Sequence, residues 1–180
     1  MNNHAMMTRA RRMDARLISA LAACGLALSL GGEAVAQAQV RTPDQSCLPG
    51  QPALTVEVSG FVNDTGTVRA QLYGPGGARF LDKGQWVMRI EQVRRAPGPM
   101  HFCFPINQPG DYAVAVRHDA NGNGKSDWND GGGFTRNPHL SLMRLKPSFT
   151  QSAVPVNGRS VNVAVVMQYR RGLSIGPITR

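Results

Sequence analysis

Beyond residue 52 apolar and polar residues alternate with a period of two, and helical spacing is almost absent. In "LTVEVSG" Leu54, Val56 and Val58 fall on one face, with Thr55, Glu57 and Ser59 on the other. "TVRAQLY" repeats the pattern with Val68, Ala70 and Leu72. Between them "VNDTG" carries Asn63, Asp64 and Gly66, which tolerate positive φ, so a hairpin turn and an antiparallel pair are expected. After the turn-rich "GPGGARFLDKG", whose Phe80 and Leu81 should tuck onto the edge of the core, "QWVMRIEQVRR" places Trp86, Met88, Ile90 and Gln92 on one face. "MHFCFPI" and "DYAVAVRH" follow, joined by "NQPG". In the second, Tyr112, Val114 and Val116 alternate with small alanines, which suits a strand covered on both sides. "QSAVPV" and "SVNVAVVMQY" flank "NGR", a second hairpin signal.

Seven such strands separated by Gly, Pro, Asn and Asp turns predict an all-β fold: an antiparallel β-sandwich with Greek-key wiring, of the immunoglobulin-like kind. The sandwich is expected over residues 53–169, with a lead at 39–52 and a C-terminal tail at 170–180. Tyr112 follows "PG" at the start of its strand. It suits either a tyrosine corner, with its hydroxyl tied back to the backbone, or an ordinary half-buried position. Residues 119–150 break the regularity as a long loop, and a compact domain seldom holds one of that length unless something specific orders it.

The first 38 residues change the picture of where this domain works. A basic lead, an uncharged apolar run from Leu17 to Leu30 and the small residues of "AVAQA" form an export signal, with cleavage expected after Ala38 or after Ala36. The run is shorter than the roughly 20 residues that span a bilayer. "LAAC" at 21–24 has the form of a lipoprotein box on Cys24, the minor alternative, but "GLALSL" follows it where a polar tether belongs. A periplasmic or secreted protein is expected. Setting aside the four arginines and two acids of residues 1–38 leaves 16 basic and 9 acidic side chains, a net of +7. The basic residues are scattered and the chain is exported, so nucleic acid is not an expected partner. Two cysteines remain, Cys47 and Cys103, and an oxidising compartment permits one disulfide between them.

Candidate chemistry lies in "HDANGNGKSDWND" at 118–130. Against the calcium-loop template D-x-[DN]-x-[DN]-G-x5-E the chain offers Asp119, Asn121, Asn123 and Gly124. The carbonyl of Lys125 falls at the seventh place, Asp127 at the ninth and Asp130 at the twelfth. Calcium takes six to eight hard oxygens, and alternation around a glycine turn lets one short segment wrap an ion. Asp130 is one methylene shorter than the usual glutamate, and strands rather than helices flank the loop. The competing reading is a tight polar turn whose side chains bond their own backbone. Trp128 and Phe134, close to these polar groups, are candidates for holding a sugar or peptide.

The segments "LTVEVSG", "GTVRAQLY", "FLDKG", "PGDYAVAVRHDANGNGKSDWN", "GFTRNP" and "PSF" resemble a family of exported bacterial proteins known as domain of unknown function family 2141. The resemblance covers roughly residues 45–176 and is most specific over "HDANGNGKSD". It implies a sandwich like those of transthyretin and the carboxypeptidase regulatory domains, and it transfers no activity. "GGG" at 131–133 departs from relatives, which often carry more varied residues there.

Enzyme signals are weak. "GLSIG" at 172–176 fits a nucleophile elbow, but Ser174 is followed by Pro177 and has neither a helix nor a histidine after it. His118 and Asp119 are adjacent on a strand and point to opposite faces, so His118 is expected to bond a loop carbonyl or shape the ion site. "PGG" at 75–77 has no helix behind it to hold an anion. The expectation is a non-catalytic exported sandwich with a calcium loop and a surface for carbohydrate or envelope ligands. The alternative is a structural or adaptor module that docks onto another envelope protein.

Overall fold

The computed structural model describes residues 39–41 and 47–178; the expected export signal, its cleavage positions and Cys24 lie outside them. In chain order the elements are β1 (Gln39–Arg41), β2 (Ala53–Ser59), β3 (Thr67–Tyr73), β4 (Met88–Val93), β5 (Met100–Pro105), β6 (Gly110–Asp119) and β7 (Gly131–Phe134). Then come α1 (Phe149–Ser152), β8 (Val154–Val156), β9 (Val161–Val166), β10 (Gln168–Arg171) and β11 (Ser174–Pro177). The larger sheet runs β1-β4-β3-β6-β7-β10-β11, with β8 also paired to β6, and the smaller runs β5-β2-β9. β7 and β8 share one edge of β6 in tandem: β8 pairs with Gly110–Tyr112 and β7 with Ala115–His118. Among the described residues no helix is long and apolar enough to cross a membrane.

The two sheets face each other because their alternating apolar residues have nowhere else to go. Leu54, Val56 and Val58 meet Val68, Ala70 and Leu72, with Phe102 and Phe104 of β5 and Val114 and Val116 of β6 filling the same core. Each of these valine, leucine and phenylalanine side chains contributes about 1.5–3 kcal/mol on full burial. The far face of the larger sheet has its own cover, where Tyr73, Ala115, Phe134 and Leu140 cluster with Phe80, Leu81 and Trp86 against them. β6 is therefore covered on both faces, as its alanine-spaced sequence requires. The Tyr112 hydroxyl donates to the carbonyl of Gln108 at 2.8 Å, which makes the tyrosine corner. Cys47 and Cys103 are joined in a disulfide with Cα atoms 5.9 Å apart.

Several expected pairings are corrected. "VNDTG" does not close a hairpin, since β2 pairs with β5 and β9 while β3 pairs with β4 and β6. "NGR" likewise carries the chain from β8, in the larger sheet, to β9 in the smaller. The sandwich is not wholly antiparallel either, because β2–β9 and β1–β4 run parallel. "SVNVAVVMQY" is two strands: at buried Met167, whose N–H donates to Ser59, the chain leaves the smaller sheet for the larger. Trp86 precedes β4 and joins the outer cluster instead of the face of Met88 and Ile90. The expected tail at 170–180 holds the end of β10 and all of β11, and the lead at 39–52 contributes β1.

The long loop at 119–150 also contains structure. β7 is the glycine run with Phe134 at its end, a strand with one side chain and so without alternation to read. Those glycines are set by close packing: a Cβ at Gly131 would lie 2.3 Å from the Tyr169 ring, and one at Gly133 would lie 2.6 Å from Val165. Further on, the Asn137 side chain reaches the outer edge of β9, donating to the Ala164 carbonyl at 3.0 Å and accepting from the Val166 N–H at 2.7 Å.

The disulfide ties the segment ahead of β2 to β5 across 56 residues of chain. Replacing both cysteines by serine is expected to lower stability by about 4 kcal/mol, the chain-entropy value for such a loop. Urea unfolding of the oxidised protein and the double variant checks this, and coincident curves would refute it.

Candidate functional site

The site is built on the last turn of the pleat in β6. Alternation sends Tyr112, Val114, Val116 and His118 toward the core and leaves Arg117 and Asp119 together on the other face. His118 is wholly buried. Its Nε2 lies 2.7 Å from the Thr65 carbonyl and its Nδ1 2.7 Å from the Tyr169 hydroxyl. A carbonyl only accepts, so Nε2 carries the proton and Nδ1 accepts from Tyr169. Burial, with Arg94 nearby, pushes the His118 pKa below its ordinary value, against the opposing pull of the Thr65 carbonyl and of Asp130 and Asp119. Burial raises that of Tyr169 to about 12. His118 is thus a neutral post linking β6, β10 and the loop after β2. The expected bond to a loop carbonyl is present.

That loop, residues 60–66, forms the floor. Asn63 Nδ2 and the Thr65 hydroxyl both donate to the Ala120 carbonyl, at 3.2 and 3.1 Å. Gly66 has φ +85°, and a Cβ there would stand 1.9 Å from the Asp119 carbonyl, so only glycine lets the two loops touch. Arg94, buried, fastens the floor from below. It donates to the Asn63 carbonyl at 2.8 Å, the Gly98 carbonyl at 3.0 Å and Asp64 at 2.7 Å, and it stacks over Phe61 at 4.0 Å. Sequence reading missed this role, although "VNDTG" and the "VRR" at 93–95 held the residues for it.

Above the floor the expected ion donors divide into two groups. Asp119, the Lys125 carbonyl and Asp130 converge on one cation, the guanidinium of Arg117. Its Nη2 bonds the Lys125 carbonyl, lies 2.7 Å from Asp130 Oδ2 and 3.8 Å from Asp119 Oδ2, and Nε adds 3.1 Å to Asp130. Asp119 also accepts the N–H groups of Asn123 and Gly124, and Asp130 those of Ala120 and Asp127. Asn121, Asn123 and Asp127 form the second group. Both asparagine amides donate to Asp127 Oδ2, at 3.1 and 2.7 Å, and these bonds, that of Asn123 first, lower the Asp127 pKa. The asparagine oxygens accept the N–H two residues on, as in the polar-turn reading. Among the described residues no three acidic, histidine or cysteine side chains gather closely enough to hold a metal by themselves.

Beside the loop lies a cleft of about 210 Å³. Trp128, Phe134, Leu140, Leu145 and Ile175 give its apolar lining, and Asp127, Asp130 and Gln168 supply polar atoms. The two aromatic candidates therefore border one space. Phe134 is buried and packs edge-on to Phe80, whereas Trp128 is 73% exposed with the Arg170 guanidinium 3.5 Å over its ring. Ser174 is exposed on β11, its hydroxyl donating to the Arg171 carbonyl. His101 is exposed on β5, and His139 is exposed next to Leu140.

Comparison with known proteins places the chain: the family described as "Uncharacterized protein conserved in bacteria (DUF2141)" matches residues 56–164, and the chain belongs to it. No curated protein and no solved structure matches.

Tyr169→Phe removes the donor to a buried imidazole nitrogen while keeping the ring that packs on Gly131. A loss of about 1–3 kcal/mol is expected, the penalty of an unsatisfied buried acceptor. Equal urea midpoints for the two proteins would show that the His118 link carries no stability.

Proposed function

We propose that this member of the family is an exported, non-catalytic binding module whose 119–130 loop closes around calcium, with the adjoining cleft as its ligand site. The observation that carries the reading is the convergence of Asp119, the Lys125 carbonyl and Asp130 on a single positive centre. These are the first, seventh and twelfth places of a calcium loop, all hard oxygens. Arg117 holds that centre with one charge, and a divalent ion competes for it with two. Asn121, Asn123 and Asp127 stand in the same loop to complete an oxygen shell once their mutual bonds are exchanged. Export is supported by the leader pattern of residues 1–38 and by the disulfide, which persists in oxidising compartments. A binding role in place of catalysis is supported by the burial of His118 with both ring nitrogens engaged.

The cleft combines the exposed Trp128 indole, stacked by Arg170 on its ring, with the carboxylates of Asp127 and Asp130, a mixture that recognises a carbohydrate or another hydroxylated envelope component. Sugar arrays with the exported protein and Trp128→Ala test that part. Retention should depend on Trp128, and a single co-purifying protein without sugar retention would replace this reading by the adaptor one.

Calorimetric titration tests the ion. Calcium should bind with measurable heat and, at about a hundred times its Kd, stabilise the fold by about 2.7 kcal/mol. Arg117→Met, which removes the competing cation, should bind about tenfold more tightly, as when the competent form had been about a tenth of the population. Absence of heat in both proteins, with melting unchanged by chelator, would end the calcium reading.

A further inference from the structure

Two tight turns at the cleft present apolar side chains where polar residues are the rule. In the first, Ser141 and Arg144 exchange both backbone hydrogen bonds, so Leu142 and Met143 form the crest. In the second, Arg171 pairs with Ser174, and Gly172 at φ +62° and Leu173 turn the chain between β10 and β11. Two-residue loops of this kind ordinarily carry Asn, Asp and Gly. Here Met143 is 97% exposed and Leu173 89%, with Leu145 at 55% beside them. Both turns border one space, since Leu142 and Leu145 of the first and Arg170 and Ile175 of the second line the same cleft with Trp128. Scattered exposed leucines need no account, but apolar residues on two turns that border one apolar cleft mark an interaction surface.

The charge around the rim selects the partner. Arg144 and Lys146 are exposed on the first turn and Arg170 lies against Trp128 on the second. Of the acids nearest them, Asp130 is paired with Arg117, while Asp127, held by two neutral asparagine amides, keeps its charge, so three cations stand against one free carboxylate. Apolar tips ringed by an excess of cations suit the boundary between anionic headgroups and acyl chains, where burial and attraction act together. The balance of residues 39–180, +7, has the same sign.

We propose that this end of the sandwich docks on an anionic lipid bilayer, with Met143, Leu145 and Leu173 entering the acyl boundary and Arg144, Lys146 and Arg170 at the headgroups. The proposal deepens the binding-module reading by naming the surface on which the module sits, and it does not require calcium.

The test is co-sedimentation of the protein, as recovered from cells that export it, with vesicles of phosphatidylcholine alone or with about a third phosphatidylglycerol, in chelator and in calcium. Binding is expected to the anionic vesicles, in chelator as well, and to weaken as salt rises. Met143→Ser with Leu173→Ser should weaken it at least about tenfold, since affinity scales with the apolar area buried. Arg144→Ser with Lys146→Ser should weaken it too. All four positions are exposed, so unchanged melting temperatures verify the fold. Equal binding by wild type and both double variants, or no binding to anionic vesicles at low salt, overturns the proposal. So does capture of a protein partner or a soluble polysaccharide through the same residues without vesicle binding. Calcium heat without vesicle binding sinks only this proposal, and vesicle binding in chelator without calcium heat sinks only the loop reading.

Discussion

The pleat of β6 is the constraint from which the rest follows. Because neighbouring side chains must point to opposite faces, a strand that buries Val114 and Val116 is committed to burying His118 as well. The same rule holds Arg117 and Asp119 side by side on the outer face. A buried imidazole then needs partners for both nitrogens, which draws in the carbonyl of Thr65 and the hydroxyl of Tyr169. Two remote segments are fixed by one residue that cannot turn away, and the loop that follows starts from a rigid platform.

The electrostatics of that loop follow from the platform. Three carboxylates within twelve residues would repel one another strongly if they were left among themselves at low dielectric. Instead backbone N–H groups, asparagine amides and Arg117 share out their oxygens, and the side chains of Asp119 and Asp130 are only 10% and 8% exposed. The arrangement is ordered without being neutral, since among the described residues Arg117 is the one cation paired with these carboxylates. The cleft opens on the side of the loop where Asp127 and Trp128 stand.

Alternation made the inward faces of the strands legible, together with the outline of the core, the double cover of β6 and the cysteine pair. It says nothing about which strand lies alongside which. Asn63, Asp64 and Gly66 serve a crossing between sheets as readily as a hairpin, and the pairing of β2 with β9 joins residues 107 positions apart. β7 was hidden because glycine has no side chain to alternate, its signal residing in the rings and methyl groups of Tyr169 and Val165 that need the space. In the site, composition pointed to the right loop, and the strand rule gave the facing of His118. The centring of Arg117 and the floor held by Arg94 depend on distances that no spacing encodes.

The reach of Asn137 to β9 has a consequence for how the molecule behaves in company. An outer strand offers unpaired N–H and carbonyl groups, a template on which another chain can continue the sheet. Here the amide of one side chain, on backbone with φ +47°, engages the carbonyl of Ala164 and the N–H of Val166 much as an added strand would. A neighbouring copy would have to break both bonds to extend the ladder at that point. The sandwich thus carries its own terminator against continuation of the smaller sheet along β9.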